Sequence, residues 1–129
     1  MVLPIPDAGL GLRTDDLSLV NAINNLNQVN GTTGITATAS GTVSTSVSLS
    51  LGLNNITTAA SGSGVLLPRA LEGVVCFVAN SGANAVTVFA PNSATINGTA
   101  GATGVSQTNA LSAIYWCPAD GVYLRLLSA

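Results

Sequence analysis

The stretch Val74-Val75-Cys76-Phe77-Val78-Ala79-Asn80-Ser81-Gly82-Ala83-Asn84-Ala85-Val86-Thr87-Val88-Phe89-Ala90-Pro91 decides the fold class. Branched and aromatic side chains crowd its first run, and the second alternates through Val86, Thr87, Val88 and Phe89. Such residues suit a pleated, half-buried surface, while Asn-Ser-Gly-Ala-Asn tolerates tight or left-handed backbone. Two strands joined by a hairpin or a short corner are expected here, a β scaffold rather than a catalytic loop.

Working outward, further strands are expected at Val65 to Leu67, Leu111 to Cys117 and Val122 to Leu127. Pro118-Ala119-Asp120-Gly121 links the last two as a type I-like turn with Gly121 in the left-handed place. From Ile35 to Leu51 the chain also alternates. Val43, Thr45, Val47, Leu49 and Leu51 share one face and Ser44, Ser46, Ser48 and Ser50 the other, which predicts a half-buried strand with a hydroxylated outer side. Asn54, Asn55 and Ser61-Gly62-Ser63-Gly64 mark turns. Many short strands without crossover helices predict an all-β domain over residues 35–129, a compact sandwich or small barrel.

Residues 1–34 have a different character. Pro4, Pro6, Gly9 and Gly11 predict an extended arm. Thr14 is an N-cap candidate, and Asp15 and Asp16 sit where a helix dipole favours negative charge. Leu19, Ile23 and Leu26, with Leu12 seven residues before Leu19, give an apolar stripe along a short helix over residues 15–28. Asn30-Gly31 and Gly34 end it. A helix this short is marginal alone in water, so the stripe requires a partner: its own β body, a symmetry mate or another protein.

Charged residues are only 6% of the 129, with a formal net charge of −2, no Lys and no His. Arg13, Arg69 and Arg125 are too few and too scattered to neutralise a phosphate backbone, which excludes a basic nucleic-acid groove. Surfaces with so little charge are hydrated by Ser, Thr and Asn or are covered in an assembly. Although the chain is apolar on balance, its longest clean apolar run, Val74 to Ala79, has strand length and falls far short of the roughly 18–20 residues of a spanning helix. No membrane partner is expected, and the lack of a basic, then apolar, leader predicts assembly in a cytoplasm.

In that compartment Cys76 and Cys117 are expected to be buried and reduced, with late oxidation as the alternative if their strands are neighbours. Two distant thiols without His make an incomplete metal set, and no metal or cofactor is expected. Without His or Lys the common nucleophile, zinc and Walker A machineries are unavailable. The acidic residues Asp7, Asp15, Asp16, Glu72 and Asp120 read as helix-start and turn residues, not as a convergent pair, and no enzyme is expected. The near-repeat of Asn30-Gly31-Thr32-Thr33-Gly34 and Asn97-Gly98-Thr99-Ala100-Gly101 reads as turn composition; a repeat architecture would need longer self-similarity. Tyr115, Trp116 and Tyr123 flank the last hairpin, either as core or as an edge that stacks on a sugar ring.

An ordered series carries a further reading: Gly64-Val65-Leu66-Leu67-Pro68, then the central pair of strands with its Asn-x-Gly-x-Asn corner, Pro91 and Thr95-Ile96-Asn97-Gly98. Gly104-Val105-Ser106, Ala113-Ile114-Tyr115-Trp116-Cys117 and Gly121-Val122-Tyr123-Leu124-Arg125 complete it. From about residue 40 onward the chain resembles a β-module of tailed-bacteriophage virion proteins of the capsid decoration (cement) or head-fibre type. The resemblance implies a structural virion protein, a homotrimer that binds the major capsid protein on the outer capsid surface and stabilises the shell. The unshielded apolar residues Leu3, Ile5, Leu10, Leu12, Leu19, Ile23 and Leu26 are the expected docking and oligomer contacts. The rival expectation is a tail-fibre or baseplate module that binds a host-surface glycan through Tyr115, Trp116 and Tyr123.

Overall fold

A computed structural model describes residues 31–128. The helix expected over residues 15–28 and the seven expected docking residues lie outside them. Six strands come first: β1 Gly31–Thr36, β2 Val47–Ser48, β3 Gly52–Thr58, β4 Ser63–Leu66, β5 Val75–Asn80 and β6 Val86–Phe89. Five more follow: β7 Thr95–Ile96, β8 Thr99–Ala100, β9 Val105–Gln107, β10 Leu111–Ala119 and β11 Val122–Leu127. Among the described residues the protein is all-β.

The expected sandwich or small barrel is replaced by a β-solenoid-like arrangement. From β1 to β6 successive strands alternate between two sheets, and β1 to β4 each pair in parallel with the strand one coil later. β1, β3 and β5 are parallel neighbours in a seven-stranded sheet; β2, β4 and β6 are parallel neighbours in a four-stranded one. In the larger sheet Leu53 stands beside Gly31, and Phe77 beside Leu53, so one coil takes 22 and then 24 residues. Loops of unequal length between the coils hide this period, which is why no sequence repeat announces it.

The central stretch turns a corner and does not form a hairpin. β5 lies in the large sheet and β6 in the small one. Asn80 holds the corner: its Nδ2 donates to Asn84 O at 2.9 Å and its Oδ1 accepts from Gly82 N–H at 3.1 Å. Asn84 Nδ2 donates to Ala59 O at 2.9 Å, which stacks this corner on that of the preceding coil. Gly82 is required there because a Cβ would come within 2.7 Å of Ala59 Cβ and 2.9 Å of its backbone N.

The chain then reverses and closes one end of the stack. β10 runs antiparallel to β5, β11 antiparallel to β10, and β9 antiparallel to β6. β7 continues the large sheet parallel to β11, with β8 beyond it. Gly121, at φ +78, occupies the left-handed place in the β10–β11 turn.

Two local expectations are corrected. The alternating run from Ile35 to Leu51 is not one strand: only Gly31–Thr36 and Val47–Ser48 are extended. Between them the chain folds on itself, with Ser46 N–H donating to Thr42 O at 3.0 Å and Thr42 N–H to Thr45 Oγ1 at 2.9 Å. Hydroxyl side chains bond locally and compete with a ladder, so period two in a Ser/Thr run is a weak strand signal. Asn54 and Asn55 lie inside β3 rather than in a turn. Buried Asn54 is tolerated because its Nδ2 lies 2.8 Å from Ser50 O and 3.2 Å from Phe77 O, while its Oδ1 accepts Ser50 N–H at 2.9 Å.

The core lies between the sheets. Ile56, Cys76, Val78, Ala113, Tyr115, Cys117 and Tyr123 from the large sheet meet Val65, Val86 and Val88 from the small one. On the outer side of the small sheet Phe89 is buried over Gly64, where a Cβ would lie 2.7 Å from its ring.

Candidate functional site

The large sheet is different: its inner face is packed and its outer face is open. Strict alternation sets this division. Along β5, Cys76, Val78 and Asn80 are buried, while Val75, Phe77 and Ala79 point outward; along β10, Ala113, Tyr115 and Cys117 are buried and Ile114 and Trp116 are outward. The registers place Leu53, Phe77, Ile114 and Leu126 side by side in a row across four strands. Val75, Trp116 and Leu124 form a second row beside it. Leu53 is 48% exposed and Leu126 61%.

The first row floors a groove of about 780 Å³, bounded on one side by Gly31 to Thr33 of β1 and on the other by Leu126 to Ser128. Among the described residues that line it, none is charged. Contiguous exposed apolar area of this kind is a candidate contact surface. Sequence reading did not single out Leu53, Phe77, Ile114 and Leu126. The signal was present in Val74 to Ala79, apolar at every position: strands covered on both faces read this way, whereas half-solvated ones alternate.

The expected aromatic trio is divided. Tyr115 and Tyr123 are 0% exposed. Tyr115 O–H donates to Gln107 Oε1 at 2.8 Å and Tyr123 O–H to Pro68 O at 2.7 Å. Neither ring has a free face for a sugar, and Trp116 alone of the three points outward, half-buried. Stacking needs an accessible π-face, so the glycan site expected from the three aromatics is reduced to Trp116.

Cys76 and Cys117 are free, buried thiols on neighbouring strands. Burial pushes the Cys76 thiol up to about 12 and the Tyr115 hydroxyl likewise to about 12, and raises Cys117 and Tyr123 as well. These groups stay neutral in the fold and pack in the core between the sheets. Asp120 Oδ1 accepts the Glu72 backbone N–H at 2.8 Å, a turn-stabilising role. Among the described residues no three His, Cys, Asp or Glu side chains converge as metal ligands.

No known protein family, curated protein or solved structure matches the chain.

Proposed function

We propose that this protein is a structural component of a virus particle, a decoration or cement protein that binds the outside of a phage head shell as a homotrimer. The observation that supports the reading best is the uncharged apolar face of the large sheet. The ordered series of motifs from about residue 40 onward and the scarcity of charge agree with a protein that spends its life in an assembly.

Function on this reading is mechanical. Leu3, Ile5, Leu10, Leu12, Leu19, Ile23 and Leu26 are the docking and oligomer contacts, and many copies docked on the major capsid protein bridge neighbouring capsomers. Binding only the assembled shell stabilises it by mass action, and multivalent attachment strengthens each contact without new chemistry.

Copies per purified particle, measured by quantitative protein staining against the major capsid protein, test the assignment. A ratio near that of the major capsid protein is expected. Absence from washed particles would overturn the virion reading, and a handful of copies would move the protein to the tail.

A further inference from the structure

The outer face of the large sheet is graded along its strands. Outward side chains run Val75, Phe77, Ala79 on β5 and, against the chain direction, Trp116, Ile114, Ser112 on β10. On β11 and the residue after it they run Leu124, Leu126, Ser128. The registers set these in step: Val75 lies beside Trp116 and Trp116 beside Leu124, Ala79 beside Ser112, and Ser128 N–H donates to Ser112 O at 2.7 Å. Three rows result: a large one, the central apolar row, and a small one of Ala79, Ser112 and Ser128. The central and small rows line the groove of about 780 Å³, and the large row stands beside it.

We infer that the groove takes the large row of a second copy of this chain, so that copies assemble around an axis parallel to the rows, above Phe77 and Ile114. Rotation about such an axis carries the large row of one copy to the small row of the next and leaves every strand at its own level. Val75 then faces Ala79, Trp116 faces Ser112 and Leu124 faces Ser128, a large side chain against a small one in each of three layers. An axis along the strands would instead set large row on large row. The same three strands supply both the projecting row and the recess, so their spacings, about 4.8 Å between neighbours, match without adjustment.

Charge commits the groove in the same direction. None of its described lining residues is charged, and neither are Val75, Trp116 and Leu124. A charged partner would be desolvated there without a counter-charge, whereas the chain's own large row brings apolar area alone. Homo-oligomers close through repeated contacts of this kind. The inference rests on the self-association in the proposed function and names the surface it uses on the β body; the virion assignment does not enter it.

Light scattering on the full-length protein after size-exclusion chromatography tests it, with the emission of Trp116, the chain's one tryptophan, read on the same samples. Wild type should run as a homotrimer. Ser112→Arg, which fills the recess with a charge, should run as single chains with Trp116 emission moved to the red. Ala102→Arg, at an exposed position in the turn before β9, should change neither. Ser112→Trp and Trp116→Ser should each lower the mass, and their combination, which exchanges large for small in one layer, should restore it. Single chains in the wild type, or a mass untouched by Ser112→Arg, would overturn the inference and leave the particle count to decide the virion reading. A dimer that Ser112→Arg splits would support the contact and overturn the homotrimer. Circular dichroism shows in each sample that the β body is folded.

Discussion

Truncating Gln107 should cost this fold more than any other single polar substitution among the described residues. The side chain is 0% exposed and sits in β9 of the small sheet, yet its partners belong to the end of the stack closed by the large sheet. Nε2 donates to Val78 O at 2.9 Å and to Leu111 O at 3.1 Å, and Oε1 accepts the Tyr115 hydroxyl at 2.8 Å. Gln107→Ala removes all three bonds and leaves the buried Tyr115 O–H without its acceptor, which costs about 1–3 kcal/mol. The space left by the lost side-chain atoms adds a cavity term of the kind that brings large-to-Ala changes to about 2–5 kcal/mol. A total loss of about 3–5 kcal/mol is therefore expected, a large part of the roughly 5–15 kcal/mol of a typical domain.

Tyr115→Phe removes one hydroxyl and leaves Oε1 without a donor, a loss of about 1–2 kcal/mol. Because the two residues share a bond, the double variant should lose less than the sum of the singles by about 1 kcal/mol. Urea unfolding followed by circular dichroism gives all three values, and unchanged slopes would show that only stability has moved. A Gln107→Ala cost under about 1 kcal/mol, or strict additivity with Tyr115→Phe, would refute the network as a fastener between the sheets.

Two further outcomes follow from the packing. Gly101→Ala places a Cβ against the Ala90 carbonyl oxygen and 2.6 Å from that of Ala94. Backbone cannot give way as a side chain does, so it should cost about 3 kcal/mol, the upper range for overpacking. Gly98→Ala, at φ +83 with nothing within 4 Å, should cost only the left-handed strain of about 1–2 kcal/mol, and thermal melts that reverse this order would refute the steric account. Burial raises Cys76 from 9.0 and Tyr115 from 10.0 to about 12 each, so both are neutral when folded and ionise first in the unfolded chain. Their stabilising contribution is complete below pH 9, and as pH rises toward 12 each ionising group withdraws up to about 1.4 kcal/mol per unit. Urea midpoints that stay flat across that window would contradict the assigned burial.

Local chemistry was legible wherever one residue type had one use. Val86–Phe89 and Val122–Leu127 were read at their observed bounds, and Gly121 at its left-handed turn. The Ser/Thr run before Leu51 misled because hydroxyls satisfy backbone groups locally as readily as they line a strand. Asn54 misled in the opposite direction: an amide that marks turns elsewhere is buried in β3 through partners supplied by Ser50 and Phe77. In β10 the sequence placed Tyr115 and Trp116 on opposite faces without saying which face is the core, and burial on the large sheet's inner side settled it for Tyr115.

By itself the sequence determined an all-β body, the approximate positions of β5, β6, β10 and β11, and an apolar, nearly uncharged composition. Those properties depend on side-chain type and on period two, both short-range. Only the tertiary structure decided that the first six strands leave alternately for opposite sheets, that their pairing is parallel across coils of 22 and 24 residues, and that one outer face of the large sheet is open. Pairing joins residues far apart in the chain through backbone groups that every residue carries. The choice of partner is thus set by corners such as Asn80 to Asn84 and by the fit of whole faces, neither of which is written in any single stretch.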